Sequence, residues 1–235
     1  MNHDAMHAET QQALRELDEH RAIERLYGRD GKLWSDDIEV ATKVNNRLGW
    51  LNSIPVMADQ MGRLVMLARG AERRGYDRAL IVGMGGSSLW PEVVGRHLAG
   101  HRGLMLRVAD SVHPNAIRDA LKWCSEGSPM FVIATKSGGT VETLSLYRIF
   151  REAYDEPQRF VAITDPHSAL ERLARDESFW EVFINPPDIG GRFSATSLFG
   201  LIPAVLSGVV LKDALGRIEE MLAECRTTPA ANNPG

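Results

Sequence analysis

Cysteine, long hydrophobic runs and an excess of charge of one sign are all scarce in this 235-residue sequence. Its two cysteines, Cys124 and Cys225, are far apart and outside any Cys-x-x-Cys spacing, which argues against a disulfide framework and a structural zinc site. The histidines also show no metal-ligand spacing. We therefore expect a reducing, cytoplasmic location, no metal and no other cofactor.

The hydrophobic and charge patterns exclude further classes of protein. The longest apolar stretch, residues 199–211, is shorter than the roughly 20 residues that cross a membrane, and it predicts a buried helix. The N-terminal segment is polar and has no apolar region typical of a signal peptide. A formal net charge of -4 gives no electrostatic basis for binding nucleic acid or an anionic membrane, so we expect neither partner.

Helical spacing dominates the first third of the chain, in residues 5–27 and again in residues 57–76. From residue 78 the pattern changes to short apolar runs, each followed by a helical pattern. Runs that are almost continuously apolar are typical of strands buried on both faces of a parallel sheet. The predicted strands are RALIVGM, LMLRVAD, MFVIAT, RFVAITD and EVFINP.

Strands that alternate with helices predict an α/β fold built from βαβ units. The sequence therefore predicts a doubly wound three-layer α/β/α sandwich around a five-stranded parallel sheet, preceded by an N-terminal helical extension. We expect residues 1–75 to form the extension, residues 76–225 the sandwich domain, and residues 226–235 a linker-like tail rich in Pro and Asn.

The segment TKSGGTVET (residues 135–143) follows the third predicted strand and precedes a helix. Its glycines allow backbone N–H groups to approach a ligand, and the helix N-terminus adds unpaired N–H donors and partial positive charge. The alternative is that Thr140 only caps the helix and that Ser137 is a turn residue that binds no ligand. The segment predicts a phosphate-binding turn formed by Thr135, Lys136, Ser137, Gly138, Gly139 and Thr140.

A second glycine-rich turn, GMGGSSLWPE (residues 83–92), follows the first predicted strand. It suggests a dinucleotide fingerprint with Asp110 on a ribose, but Ser88 stands where the third glycine is required. A turn that contains two serines is a better match to a second sugar- or phosphate-contacting loop. A tight strand-to-helix turn without a ligand remains the alternative.

Arg192 stands between a Gly-Gly turn and an apolar helix, in the segment GGRFSATSLFGLIP. A charge in that position requires a partner. One hypothesis is that its guanidinium meets an anion or a developing oxyanion at the edge of the sheet. The alternative is an internal ion pair with Asp188 or Asp165.

In order and spacing, the segments GMGGSSLWP, ATKSGGTVET and GGRFSATSLFGLIP resemble the signature segments of the glucose-6-phosphate isomerase family. TDPHSAL fits the same family pattern. KLWSDD and NRLGWL resemble the isomerase half of the fused transaldolase/glucose-6-phosphate isomerase proteins. The resemblance covers roughly residues 30–235.

This resemblance implies that residues 76–225 are a sugar-isomerase (SIS) domain whose ligands are glucose 6-phosphate and fructose 6-phosphate. The 135–140 turn would bind the phosphate, with Thr143 nearby, and Gly86 and Ser87 would contact the sugar. Arg192 would stabilise the enediolate formed during aldose–ketose isomerisation, in agreement with its placement beside a developing negative charge.

The sequence departs from the family pattern in one respect. The family's general base is a glutamate in a Q-x-x-x-E-S-like segment, and it comes from a second SIS domain or a neighbouring subunit, as do an assisting histidine and lysine. No such segment occurs in these residues. We therefore expect a phosphosugar-binding half with little or no turnover, paired as a homodimer or with a second SIS domain. A non-catalytic sugar-phosphate sensor and a nucleotide binder remain alternative hypotheses.

Overall fold

The computed structural model describes residues 3–98 and 103–235. The chain begins with four helices, separated by short loops and single 3₁₀ turns. Their bounds are α1 (His3–Glu19), α2 (Ala22–Tyr27), α3 (Ile38–Asn45) and α4 (Ser53–Arg73).

Five strands form one parallel sheet in the order β2-β1-β3-β4-β5. The predicted fold class is thereby confirmed, because all five strands coincide with the apolar runs and each is separated from the next by a helix. The strands are β1 (Arg78–Gly83), β2 (Met105–Ala109), β3 (Pro129–Ala134), β4 (Phe160–Thr164) and β5 (Glu181–Ile184).

Six further helices cover the sheet, and a π-helical turn (Val94–Leu98) extends the first of them. A 3₁₀ segment (Gly191–Thr196) connects β5 to the buried helix that the apolar stretch predicts. The helices are α5 (Gly86–Val93), α6 (Pro114–Ser125), α7 (Val141–Ala153), α8 (Ala169–Asp176), α9 (Leu198–Leu206) and α10 (Leu211–Glu224).

Alternate residues of each strand pack into one of two hydrophobic cores, which makes the three layers of the sandwich. Ile81 and Val132 face α4, α9 and α10, whereas Leu80 and Phe131 face α6, α7 and α8. The second core contains a stack of aromatic rings, with 4.8 Å between the ring centroids of Phe131 and Phe160. Complete burial of such a side chain stabilises the fold by about 1.5–3 kcal/mol.

The strand order places a crevice where β1 and β3 lie side by side. The connection after β1 runs to β2 on one side, and the connection after β3 runs to β4 on the other. Gly83 and Ala134 are paired at the ends of these strands, so the loops that follow begin next to each other. Ligands of open parallel sheets bind in such a crevice.

The helical extension packs against the sheet, and the tail contacts the helical extension. Met57 and Leu64 of α4 are buried in the core beneath the sheet. The backbone N–H of Ala230 in the tail donates to the Asp18 carboxylate of α1 at 2.8 Å. The division into residues 1–75, 76–225 and 226–235 remains a prediction.

Within the described residues, no helix is both long and apolar enough to cross a membrane.

Candidate functional site

A polar cavity of about 500 Å³ opens at the carboxyl ends of β1, β3 and β4. It brings together the turns after β1 and β3 with segments that precede and follow the sheet. Its lining residues are Asn46, Arg47, Met84, Gly86, Ser87, Thr135, Lys136, Ser137, Thr140, Asp165, Pro187 and Gly191.

Hydroxyl groups of the 135–140 turn converge on one another inside this cavity. The Thr135 and Thr140 hydroxyl oxygens are 2.8 Å apart, and Ser137 Oγ lies 3.5 Å from Thr140 Oγ1. Thr140 occupies the N-cap position of α7, yet its side chain makes no capping hydrogen bond. The capping alternative does not account for Thr140, whose hydroxyl instead faces the other donors of the turn.

Gly138 gives this turn its shape. Its φ of +69° lies in the left-handed region, which favours glycine. A Cβ at this position would also collide with Ser168, whose side chain caps α8 by accepting from the Glu171 N–H at 3.0 Å. The 135–140 turn is therefore packed directly against the next strand-to-helix turn.

Gly86 joins the turn after β1 to the segment that contains Arg192. A Cβ on Gly86 would collide with the Gly191 carbonyl, so the two backbones touch. Ser194 Oγ strengthens this contact by donating to the Gly191 carbonyl at 2.8 Å and to the Gly86 carbonyl at 3.3 Å. The first and third signature segments thus meet at one wall of the cavity.

The Lys136 ammonium is engaged by neighbouring protein groups. It donates to Asp165 Oδ2 at 2.5 Å and to the Pro187 carbonyl at 2.7 Å. The second carboxylate oxygen of Asp165 is buried and has no hydrogen-bond partner among the described residues. Burial raises the pKa of Asp165, and the hydrogen bond from Lys136 and the charges of Lys136 and Arg47 oppose that rise.

The alternative interpretation of Arg192, an internal ion pair with Asp188 or Asp165, is not supported by the structure. Asp188 pairs with Arg29 at 2.8 Å, and Asp165 pairs with Lys136. In residues 3–98 and 103–235, no carboxylate lies within 4.0 Å of the Arg192 guanidinium, which is exposed. Arg192 is not itself a lining residue, but it directly follows Gly191, which is.

The remaining predicted site residues differ in their access to the cavity. Gly86, Ser87, Thr135, Lys136, Ser137 and Thr140 line it, whereas Gly138, Gly139 and Thr143 do not. Gly139 is exposed, and its N–H donates to Ser137 Oγ at 3.3 Å. Thr143 is fully buried in the first turn of α7, and its hydroxyl has no partner in the described part of the chain.

Asn46 and Arg47 line the cavity although sequence reasoning did not identify them. They lie in the loop after α3, which is held against the segment before Arg192 by a bridge between Leu48 and Ile189. The Gly190 N–H also donates to the Arg47 carbonyl at 3.4 Å. Nothing local in the sequence marks this long-range contact.

The dinucleotide alternative receives little support from the geometry. Ser88 is buried and donates to the Gly85 carbonyl at 2.9 Å, which closes the turn locally. Neither Ser88 nor Asp110 lines the cavity. Across the described residues, no three His, Cys, Asp or Glu side chains are grouped so as to hold a metal ion.

A larger cavity of about 790 Å³ lies between α1, α2, α10 and the tail. Its walls are mostly apolar, with Leu14, Leu26, Trp50 and Leu222 among them. Such walls do not supply the charge-assisted hydrogen bonds that an anion needs. The smaller, polar cavity is therefore the better candidate for a site that binds a phosphorylated ligand.

Residues 17–226 match the family model for phosphoglucose isomerase. Among curated proteins, the chain is 32% identical over 225 residues to glucose-6-phosphate isomerase 1, chloroplastic, of Arabidopsis thaliana, covering 92% of this chain and 36% of that protein. It is 31% identical over 233 residues to glucose-6-phosphate isomerase of Desulfitobacterium hafniense, covering 95% of this chain and 42% of that protein. The chain thus spans less than half the length of these relatives.

Two solved structures share the fold. A hypothetical protein from Thermus thermophilus superimposes with a TM-score of 0.77 at 23% identity, covering 95% of this chain and 52% of that one. A glucose-6-phosphate isomerase from Chlamydia trachomatis superimposes with a TM-score of 0.70 at 21% identity, covering 94% of this chain and 47% of that one. At these identities the likeness concerns the fold alone.

Proposed function

This chain belongs to the phosphoglucose isomerase family, and we propose that its polar cavity is the phosphosugar-binding part of a glucose-6-phosphate isomerase, within an SIS domain. The observation that carries the proposal is the side chain of Thr140. It stands at the start of α7 without capping the helix, and its hydroxyl meets those of Thr135 and Ser137. The arrangement leaves hydroxyls and first-turn N–H groups available to one anion.

The phosphate occupies the end of the cavity formed by residues 135–140. Hydroxyls of Thr135, Ser137 and Thr140 donate to its oxygens, and the backbone of Gly138 and Gly139 allows close approach. The partial positive charge at the N-terminus of α7 favours a dianion at this point. Thr143 lies nearby, buried in the first turn of the same helix.

The sugar extends from the phosphate toward Gly86 and Ser87, on the wall where the first and third signature segments meet. Arg192 stands beside this wall with an exposed guanidinium and no carboxylate within ion-pair distance among the described residues. A guanidinium without an internal partner is available to stabilise the negative charge of an enediolate. We assign Arg192 this role in the isomerisation of glucose 6-phosphate and fructose 6-phosphate.

The general base of the reaction comes from outside the residues that line this cavity. Asp165 is the carboxylate among those lining residues, and it is paired with Lys136 at 2.5 Å. An Asp165 engaged in this way holds Lys136 in place and is poorly suited to remove a proton from a sugar carbon. The base would be supplied by a second SIS domain or by a neighbouring subunit.

Exposed apolar side chains near the cavity support such pairing. Leu89, Val141 and Phe193 follow the lining residues closely along the chain and are 62%, 73% and 53% exposed. Large exposed apolar side chains beside a polar site are typical of a surface that another domain covers. We propose a homodimer or a contact with a second SIS domain, and sedimentation of a monomer alone at high concentration would contradict the homodimer.

Titration calorimetry with fructose 6-phosphate and with fructose tests the proposed function. We expect fructose 6-phosphate to bind and fructose, the matched control without phosphate, to show no heat of binding. A coupled assay on protein free of host isomerase should show little or no conversion to glucose 6-phosphate. Rapid conversion would contradict the assignment of the base to another domain or subunit, and absence of fructose 6-phosphate binding would contradict the proposal itself.

A further inference from the structure

The charges around the polar cavity do not contribute equally to an anion site. Lys136, Asp165 and Arg47 are the ionisable residues that line it. The Lys136 ammonium and the Asp165 carboxylate form an ion pair at 2.5 Å, so their charges largely offset each other. The remaining positive charge of the cavity wall belongs to Arg47.

Arg47 is free to act on a ligand. Its guanidinium is exposed and donates one hydrogen bond, at 2.9 Å, to the carbonyl of its neighbour Asn46. Within residues 3–98 and 103–235, no carboxylate lies within 4.0 Å of it. A guanidinium has five N–H donors, so most of those on Arg47 remain available.

The backbone of Arg47 is fixed although its side chain is exposed. The Leu48–Ile189 bridge and the hydrogen bond from the Gly49 N–H to the Asp188 carbonyl, at 3.0 Å, hold the loop on the segment that follows β5. Arg29 connects the same two segments, because it pairs with Asp188 at 2.8 Å and donates to the Asn45 carbonyl at 3.0 Å. The loop therefore presents Arg47 at a defined place on the rim of the cavity.

We propose that Arg47 is a specificity-determining residue that binds the phosphate group of the ligand, while Lys136 is held back by Asp165 as part of the cavity wall. This inference rests on the proposed phosphosugar function. The planar guanidinium binds two phosphate oxygens at once, which a lysine ammonium does not do in the same geometry. Hydroxyls and N–H groups of the 135–140 turn hold the opposite side of the same phosphate.

The test is calorimetric titration of Arg47→Met with inorganic phosphate and with fructose 6-phosphate. We expect both ligands to bind about tenfold or more weakly, since a charge-assisted bidentate contact is lost. Arg47→Lys keeps the positive charge but cannot bind two phosphate oxygens at once, so it should recover part of the affinity. Arg217→Met is the matched control, because Arg217 on α10 is exposed and lies outside the cavity, and its replacement removes the same charge.

The outcomes separate this inference from the function on which it rests. Equal losses for phosphate and fructose 6-phosphate support a contact between Arg47 and the phosphate. A loss for fructose 6-phosphate alone would overturn it, because Arg47 would then contact the sugar. Unchanged affinity in Arg47→Met, or an equal loss in Arg217→Met, would overturn it while leaving the proposed function intact. If the unsubstituted chain binds neither ligand, both fail together.

Discussion

The hydroxyl oxygens of Thr135 and Thr140 lie 2.8 Å apart and join the end of β3 to the start of α7. Thr135 is buried and Thr140 is half-buried at the edge of the cavity. A threonine at an N-cap ordinarily accepts a hydrogen bond from the first turn of its own helix. Because Thr140 does not, the first-turn N–H groups of α7 remain available to a ligand.

Replacing Thr140 by alanine should weaken ligand binding more than it weakens the fold. Loss of one hydrogen bond to a charged phosphate is worth about 1.5–3 kcal/mol, so we expect fructose 6-phosphate to bind about tenfold or more weakly. The free energy of unfolding should fall by only about 1 kcal/mol, because the hydrogen bond to the Thr135 hydroxyl is lost but no capping bond is removed. Calorimetry and urea unfolding measure the two effects.

Ser168→Ala is the matched control for Thr140→Ala. Ser168 occupies the same place after β4, and its hydroxyl does cap α8 and bonds Thr164 Oγ1 at 2.8 Å. We expect this variant to lose about 1–2 kcal/mol of unfolding free energy. Equal losses of stability in the two variants would show that Thr140 is an ordinary cap and would contradict the assignment.

Gly138→Ala should destabilise the protein, whereas Gly139→Ala should not. Gly138 has a φ of +69° and no room for a Cβ beside Ser168, while a Cβ on Gly139 would meet no atom within 4 Å. Left-handed backbone strain at a non-glycine residue costs of order 1–3 kcal/mol. Urea unfolding of both variants checks this contrast, and similar unfolding midpoints would contradict a left-handed Gly138 packed against Ser168.

A pair of charges at the opposite end of the sheet predicts a dependence of stability on pH. Arg78 is buried and donates to both oxygens of the exposed Asp77 carboxylate, at 2.9 and 3.2 Å. These hydrogen bonds hold the pKa of Asp77 below its usual range. The stability they provide is therefore complete above the unfolded-state pKa of about 4 and is lost as the pH falls through the lower folded-state value.

Asp77→Asn tests this pH dependence. At pH 7 we expect the variant to be less stable, by about 1 kcal/mol or less, since the carboxylate is half exposed to solvent. The difference in unfolding free energy should shrink as the pH falls below the unfolded-state pKa of about 4, because the carboxyl of the unsubstituted protein is then progressively protonated. A difference that stays constant from pH 7 to pH 3 would mean that the charge of Asp77 does not contribute.

The two free thiols should differ sharply in reactivity. Cys124 is fully buried in the core on one side of the sheet, and burial raises its pKa to about 12, whereas Cys225 is half-buried near the C-terminus. Only the thiolate attacks an aromatic disulfide reagent. Native protein should therefore show one reacting thiol and denatured protein two. Cys225→Ser provides the control, and rapid labelling of its native form would contradict the burial of Cys124.

The sequence predicts the sheet well because its central strands are buried on both faces. RALIVG is apolar after its first residue and PMFVIA is apolar throughout, and each strand is completely buried. The parallel direction of the strands also follows from local signals, since each helical pattern supplies one crossover. Two glycine-rich turns at strand ends were sufficient to predict where the cavity lies, because parallel strands end at one edge.

Contacts between segments far apart in the chain could not be predicted from the sequence. Arg47 reaches the cavity through the Leu48–Ile189 bridge, which joins segments far apart in the chain and has no periodic pattern. The alternative of an ion pair between Arg192 and Asp188 fails for the same reason, since Arg29 from the loop after α2 pairs with Asp188. The ion pair between Lys136 and Asp165 has a local signal in the sequence. TDPHSAL begins at the end of β4, which lies next to β3 in the sheet, so the segments that carry the two residues start side by side.

A crystal structure of this protein soaked with fructose 6-phosphate would show directly whether the 135–140 turn binds the phosphate. We expect the phosphate in the polar cavity, with its oxygens within about 3.2 Å of the Thr135, Ser137 or Thr140 hydroxyls or of the first N–H groups of α7. A phosphate bound elsewhere on the molecule, or no bound ligand at saturating concentration, would contradict it.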